Sequence, residues 1–182
     1  MRTIEAYAGL TVLMTSAVAG MAQSATGTYT DTPSGPDYTY SLTASDASGA
    51  GAPMGSFWFA WVPGKFFLPS VPLSATAPSG WTESIVNHSV QFVAGSSADY
   101  ILPGSSLSGF TFTTVDTPAE IAGDATSQGY PTTPVTTSDA YTGGLFSSSG
   151  NTFTFTASSV PEPSTLALGA MGVAGLWLRR KK

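Results

Sequence analysis

The chain has 182 residues, of which 9% are charged and 12% aromatic, and its formal net charge is −5. It contains no cysteine, which excludes disulfides, thiolate zinc sites, iron–sulfur clusters and cysteine catalysis. It has only six lysines and arginines, and the scarcity of these cations disfavours a nucleic-acid partner because phosphate contacts depend on them.

Residues 1–22 are predicted to be a secretory signal peptide. Arg2 supplies positive charge ahead of an uncharged, largely apolar core at 7–18, which is too short to span a membrane. Small residues follow this core, as signal cleavage requires. We expect cleavage after Ala22, which leaves Gln23 first. An uncleaved N-terminal anchor is the alternative, and the short core disfavours it.

Residues 23–159 are predicted to be the mature body, a length that suits one domain with its own core. The body holds one cation, Lys65, against nine carboxylates, a net charge of −8. We therefore expect neither nucleic acid nor anionic lipid as its partner. Abundant Ser, Thr and Gly is typical of an extracellular β-protein, and the many aromatic residues argue against disorder.

Alternating side chains predict strands in the body. Apolar and hydroxyl residues alternate at 38–43, 107–115 and 151–156. Residues 56–62 are apolar on both faces, which predicts a central strand buried on both sides. Residues 81–94 predict two short strands or one long bent strand.

Two stretches between these strands have irregular patterns. Residues 66–79 contain three prolines and predict an irregular crossing segment. Residues 116–144 are dense in Thr, Pro and Gly and predict one long loop or two short edge strands. With roughly six to eight short strands and no amphipathic helix, the body is predicted to be all-β, a β-sandwich of Ig-like or jelly-roll type.

Residues 160–182 form the last segment. Pro161, Glu162 and Pro163 make a rigid, extended triplet that stays accessible to an enzyme. The uncharged run after it has the composition of a membrane helix, at about 15 residues against the roughly 20 needed to span. A buried helix of a soluble domain is disfavoured because this run has no polar face. The residues assigned to the short transmembrane helix are Thr165, Leu166, Leu168, Met171, Val173, Leu176, Trp177 and Leu178. The stop-transfer cations, expected on the cytoplasmic side, are Arg179, Arg180, Lys181 and Lys182.

This order of Val-Pro-Glu-Pro-Ser-Thr, a short Gly/Ala/Leu-rich helix and a terminal Arg/Lys cluster resembles the PEP-CTERM sorting signal of Gram-negative bacteria. In that family a membrane protease-transpeptidase, exosortase, reads the signal. The resemblance implies export, transient membrane anchoring by the tail, and cleavage near the Pro161–Pro163 triplet. It implies little about the residues before 160.

Few side chains of the body suit catalysis or metal binding. His88 is the single histidine and no Gly-x-Ser-x-Gly elbow is present, so an exposed or capped histidine is favoured over a catalytic one. Asp116, Glu120 and Asp124 have the chemistry of glycosidase acids or of calcium ligands. Because they are spaced singly, we predict a solvated acidic loop, with no catalytic residue, metal site or cofactor; bound calcium is the alternative.

Three tryptophans raise the question of a carbohydrate platform, since aromatic faces stack on sugars. Alternation places Trp58 and Trp61 on opposite faces of one strand. Trp81 begins a strand and is expected to be the more exposed. Core packing is the favoured role for each of the three.

Three functions stay open. The first is a non-enzymatic cell-surface or extracellular-matrix protein, anchored as a precursor, processed by exosortase and left at the surface or in the exopolysaccharide. The second is a carbohydrate-binding module of that matrix, which needs two or more exposed aromatics on one concave face. The third is a secreted glycan hydrolase, which needs converging carboxylates in a cleft.

Overall fold

Strands make up most of the part of the chain that a computed structural model describes, residues 24–47, 51–125, 130–142 and 150–158. The predicted signal peptide, its cleavage site at Ala22 and Gln23, and the C-terminal segment 160–182 lie outside the described residues. Those assignments stay predictions as far as the structure is concerned.

The described residues form thirteen strands, one short helix and one 3₁₀ turn. The strands are β1 (Ala25–Ser34), β2 (Asp37–Asp46), β3 (Met54–Phe59), β4 (Trp61–Val62), β5 (Lys65–Phe66), β6 (Ser74–Thr76), β7 (Trp81–Ile85), β8 (Val90–Ala94), β9 (Ser106–Thr114), β10 (Asp124–Ala125), β11 (Tyr130–Pro134), β12 (Thr137–Thr142) and β13 (Asn151–Ala157). The helix α1 is Pro118–Ile121, and the 3₁₀ turn is Ser97–Asp99.

Nine of the described strands form a single sheet in the order β6-β9-β2-β1-β13-β12-β3-β8-β7. Its pairings are antiparallel except for that of β1 with β13, which is parallel. The two edge strands, β6 and β7, are consecutive in the chain and contact each other, so the sheet is bent nearly into a barrel. The all-β prediction is confirmed, with one almost closed sheet where the sequence predicted two packed sheets.

The core is built from aromatic rings that meet between the two halves of this sheet. Phe57 of β3 packs edge-on against Phe110 of β9, with ring centroids 4.9 Å apart. Phe92 and Trp81 lie against the same Phe110 ring at 5.0 and 5.1 Å. Edge-to-face packing is the arrangement that the quadrupoles of aromatic rings favour. As the alternation predicted, Phe110 and Phe112 point inward from β9 and are fully buried.

One glycine permits the contact between the first and last strands. Gly27 of β1 is the register partner of Phe155 on β13. A Cβ atom at Gly27 would collide with the Phe155 ring. The absence of a side chain at this position therefore lets the ring lie against β1.

Two regions depart from the sequence-based strand assignment. The predicted strand 56–62 is interrupted at Ala60, whose φ of 58° lies in the left-handed region. The predicted loop or edge strands at 116–144 include β12, a central strand between β13 and β3 that is buried along most of its length. Its polar sequence is typical of a loop or an edge strand, which is why the sequence did not predict a central strand.

The Phe110→Ala variant should be strongly destabilised. It removes a fully buried ring that three other rings contact, and we expect a loss of about 3–5 kcal/mol in the free energy of unfolding. Urea unfolding followed by tryptophan fluorescence would measure it. Leu102→Ala is the control, because Leu102 is 59% exposed and should change stability by no more than about 0.5 kcal/mol. Equal effects of the two variants would contradict this core.

Candidate functional site

On the outer side of β6, β9, β2 and β1, most side chains are those of serine and threonine. The registers of β6, β9, β2 and β1 place threonines and serines opposite one another in rows that cross the strands. One such row is Thr32, Thr39, Thr113 and Ser74. We call this surface the hydroxyl face. Its members are Thr26, Thr28, Thr30, Thr32, Thr39, Ser41, Thr43, Ser45, Ser74, Thr76, Ser106, Ser108, Thr111, Thr113 and, on β13, Thr156.

The hydroxyl face follows from strict alternation in its strands. Every second residue of β1 from Thr26 to Thr32 is a threonine, while Ala25, Gly27 and Tyr29 are buried. Threonine suits this position because its branched side chain fits a pleated strand and its hydroxyl remains in water. The predicted outward orientation of Thr111 and Thr113 on β9 is confirmed by their pairing with outward residues of β2.

Neighbouring hydroxyls of this surface pair with each other across strands. Thr39 and Thr113 have their Oγ1 atoms 3.0 Å apart, and Thr76 and Thr111 have theirs 2.7 Å apart. Ser45 and Ser106 form a third pair at 2.7 Å. A hydroxyl has one donor and two acceptor sites, so each paired group can still bond to solvent or a ligand.

The tryptophans lie away from this surface and are buried. Trp58 and Trp61 stack with centroids 4.4 Å apart and pack with Tyr141 on the opposite half of the sheet. The prediction that alternation separates Trp58 from Trp61 is wrong, because the left-handed residue Ala60 breaks the strand between them. Trp81 is only 6% exposed, so its predicted exposure is also wrong. It points into the core and donates its Nε1–H to the Asp99 carbonyl at 2.9 Å.

The described residues offer no exposed aromatic platform. The large apolar side chains that are exposed among them are all aliphatic: Val71, Leu73, Ile85, Leu102 and Val115. The described aromatic rings that are half-buried, Tyr38, Phe66, Tyr100 and Tyr130, belong to different elements.

A buried carboxylate lies beside the stacked tryptophans. Asp139 of β12 accepts hydrogen bonds from the Tyr141 hydroxyl at 3.1 Å and from the Thr152 hydroxyl at 2.7 Å. Burial, reinforced by the negative charge of Asp139, raises the pKa of Tyr141 well above its ordinary value of 10. The tyrosine thus stays a neutral donor, and these bonds explain how a polar strand lies inside the sheet. Sequence patterns did not single out Asp139.

The acidic loop does not bring its carboxylates together in one role. Asp116 is buried, and its Oδ2 accepts from the Ser70 amide at 3.1 Å while its carbonyl accepts from the Tyr40 hydroxyl at 2.8 Å. The latter bond ties the loop to β2. Burial is the main reason that the pKa of Tyr40 lies well above its ordinary value. Asp116 was predicted to be solvated, and this is wrong because the loop folds over it.

Glu120 is exposed and caps α1. Its carboxylate accepts from the Thr117 amide at 2.7 Å and from the Thr117 hydroxyl at 2.8 Å, while Thr117 Oγ1 accepts from the Glu120 amide. The backbone bond first, and the side-chain bond second, hold the pKa of Glu120 below its ordinary value of 4.5. A general acid needs a raised pKa, so Glu120 is set up as a helix cap.

His88 and the remaining acids add no assembled reaction centre. His88 Nδ1 lies 2.9 Å from the Leu68 carbonyl, in the turn between β7 and β8, as a capped histidine would. Within the described ranges, no group of three His, Cys, Asp or Glu side chains is placed to hold a metal ion. An open depression of about 240 Å³ beside Asp99, Tyr100 and Leu107 is smaller than typical ligand pockets.

The C-terminal end of the described fold has a fixed position. The Ser158 amide donates to the Tyr29 carbonyl at 2.7 Å, and only two residues separate Ser158 from Pro161. Because β13 runs parallel to β1, the chain leaves the barrel toward the tip of the β1–β2 hairpin, at Gly35. The turn at Pro103–Gly104 lies at the other end, where the Gly104 amide bonds to the last residue of β2.

Residues 159–182 match the family model described as the PEP-CTERM protein-sorting motif. The chain carries a PEP-CTERM sorting signal. The motif predicted from the sequence is thereby confirmed, and it implies export, a membrane-anchored precursor, and processing by the membrane protein exosortase. A search of curated proteins found no match to this chain. Among the described residues, no helix is long and apolar enough to cross a membrane.

The Thr117→Val variant should raise the pKa of Glu120. It removes the side-chain bond to the carboxylate and keeps the backbone bond, so the pKa should move part of the way toward 4.5. Because the folded-state pKa is lowered, this cap stabilises the fold above the ordinary pKa and is lost as the pH falls through the folded value. A carboxyl NMR titration, with Thr111→Val as the control, would show it. Titration of Glu120 above 4.5 in the unmodified protein would contradict the capping role.

The hairpin tip should lie nearer the membrane than the Pro103–Gly104 turn in the anchored precursor. The two ends are about 30 Å apart, since β2 runs ten residues between them at about 3.3 Å each. The absence of native cysteine allows single labels at Ser34→Cys and Ser105→Cys. In reconstituted full-length precursor, energy transfer to dyes on lipid headgroups should be stronger from Ser34→Cys. Equal or reversed transfer would contradict the deduced exit of the chain.

Proposed function

We propose that the protein is an exported, non-enzymatic surface or matrix protein, sorted and processed through the Pro161–Glu162–Pro163 triplet. The observation that carries this proposal is the sorting motif at 159–182, which follows directly on the last strand of the barrel. In this account Thr165–Leu178 holds the precursor in the membrane, and Arg179–Lys182 stays in the cytoplasm. Signal cleavage after Ala22 frees the other end.

The arrangement of the titratable groups supports a non-enzymatic role. Asp116 is buried and accepts a hydrogen bond from the Ser70 amide. Glu120 caps a helix, and Asp139 accepts hydrogen bonds from two hydroxyls. Each of these three carboxylates thus has a structural partner, and the body contains only one lysine and one histidine. A hydrolase would need two carboxylates facing one cleft, with a raised pKa on one of them.

Exopolysaccharide is the proposed environment and partner of the mature protein. A neutral surface of hydroxyl groups can hydrogen-bond to a glycan chain and offers little attraction to charged macromolecules. The buried tryptophans make an aromatic binding module the less favoured alternative. The role is that of a component of the cell surface or matrix.

The Glu162→Ala variant tests the proposal. Glu162 is an isolated carboxylate between two rigid prolines, and we expect its loss to trap a membrane-bound precursor that retains residues 164–182. Mass spectrometry of membrane, surface and medium fractions would give the termini, with Gln23 first and the tail absent in the mature protein. Glu83→Ala, at an exposed glutamate of β7, is the matched control and should be processed normally.

Two results would overturn the proposal. Normal processing of Glu162→Ala would remove the triplet from the mechanism. Hydrolysis of a glycan by the purified mature protein, lost in Asp116→Ala or Glu120→Ala, would establish a hydrolase instead.

A further inference from the structure

The hydroxyl face differs from the rest of the body in having no charge. Its fifteen side chains are all Thr or Ser, although the body carries nine carboxylates. On the strands that carry the face, Asp31 and Asp46 occupy the alternate, inward-facing positions, since they pair with the buried residues Tyr40 and Ala25. Asp37, at the tip of the β1–β2 hairpin, borders the hydroxyl face. The fifteen positions carry neither charged nor large apolar side chains, and the exposed Leu73 and Val115 lie next to its strands β6 and β9. This composition limits which partners the surface fits.

The spacing of the hydroxyls is set by the sheet. Alternate residues of a strand are about 6.8 Å apart, and neighbouring strands about 4.8 Å apart. A row of four, such as Thr30, Ser41, Thr111 and Thr76, therefore spans about 14 Å. Two rows of four and two rows of three follow one another along the strands for about 20 Å. The result is a regular array long enough to contact several units of an extended polymer.

The array is also ordered before any ligand arrives. Threonine has few χ1 rotamers, and the pairs Thr39–Thr113, Thr76–Thr111 and Ser45–Ser106 fix hydroxyls on neighbouring strands. A surface that is already ordered loses less conformational entropy on binding. Each hydroxyl keeps the capacity both to donate and to accept.

We propose that the hydroxyl face binds an extended, neutral polysaccharide; this rests on the proposed matrix function and names the surface and the chemical class of its partner. An uncharged surface gives no attraction to an anionic or cationic polymer. The lack of aromatic and large apolar side chains removes the anchors that protein interfaces and membrane surfaces use. A neutral glycan presents hydroxyls that match the array in both donor and acceptor character.

The chemistry predicts binding to polymers and not to short sugars. Single hydrogen bonds exchanged with water contribute little, so affinity must come from many contacts along one chain. Binding should also be insensitive to salt, since no charge is involved.

The test is a pull-down of the mature protein on an insoluble neutral glucan, with pectate as the anionic comparison. The variant Thr28→Val, Thr43→Val, Thr111→Val and Thr113→Val removes four hydroxyls and keeps β-branched side chains suited to strands. We expect at least a tenfold loss of retained protein. Serine at the same four positions should stay within twofold of the unmodified protein, as should Thr82→Val on β7. Thermal unfolding would establish that each variant is folded.

A second variant controls for non-specific adhesion of the valine side chains to the insoluble glucan. Thr43→Lys with Thr111→Lys places charges on the array and should also lose the neutral glucan. The inference is overturned if the valine variant is retained like the unmodified protein, if pectate is preferred, or if no neutral glucan is bound. It is equally overturned if sedimentation shows that the surface mediates self-association instead. Failure of the unmodified protein to bind a neutral glucan, with normal export and processing, would reject this inference alone, whereas failed processing would concern the proposed function.

Discussion

The parallel pairing of β1 with β13 is the contact on which the rest of the structure depends. It hydrogen-bonds the two halves of the sheet to each other, while the contact between β6 and β7 and the aromatic rings of the core bring the halves together elsewhere. It requires Gly27, because any side chain there would collide with Phe155. It also places Ser158, three residues before Pro161, beside Tyr29 of β1. One close approach of two strands thus sets both the almost closed sheet and the position of the last described residue before the sorting signal.

Alternation along β9, β2 and β1 then places aromatic side chains inside the barrel and hydroxyl side chains on its outer side. Tyr40 and Phe112 stack inside at 5.0 Å, while Thr39 and Thr113, one position away on the same strands, bond outside at 3.0 Å. The rings supply the apolar burial that a chain without disulfides needs. The hydroxyls leave this face of the sheet neutral and able to hydrogen-bond to water.

The sequence was sufficient where a local pattern determines the structure. The alternation at 38–43 and 107–115 predicted β2 and β9, and the order of residues at 160–182 predicted the sorting motif. Both patterns consist of consecutive residues, so neither depends on the fold. Sequence patterns gave the wrong structure where one backbone angle or a residue distant in the chain determines the position of a side chain. The left-handed Ala60 brings Trp58 and Trp61 together, and β12 is buried because Tyr141 and Thr152 satisfy Asp139. The hydroxyl face required the strand register, which no local pattern contains.

A disulfide trap tests the central pairing most directly, since the chain has no cysteine of its own. Thr28 and Thr156 are register partners on the outer side of β1 and β13, close enough for a disulfide between neighbouring strands. The double variant Thr28→Cys and Thr156→Cys should oxidise to an intramolecular bond that mass spectrometry of tryptic and chymotryptic peptides identifies. Thr28→Cys with Thr152→Cys, four residues out of register, should remain reduced under the same conditions. Oxidation of the second pair in preference to the first would contradict the parallel register and the account built on it.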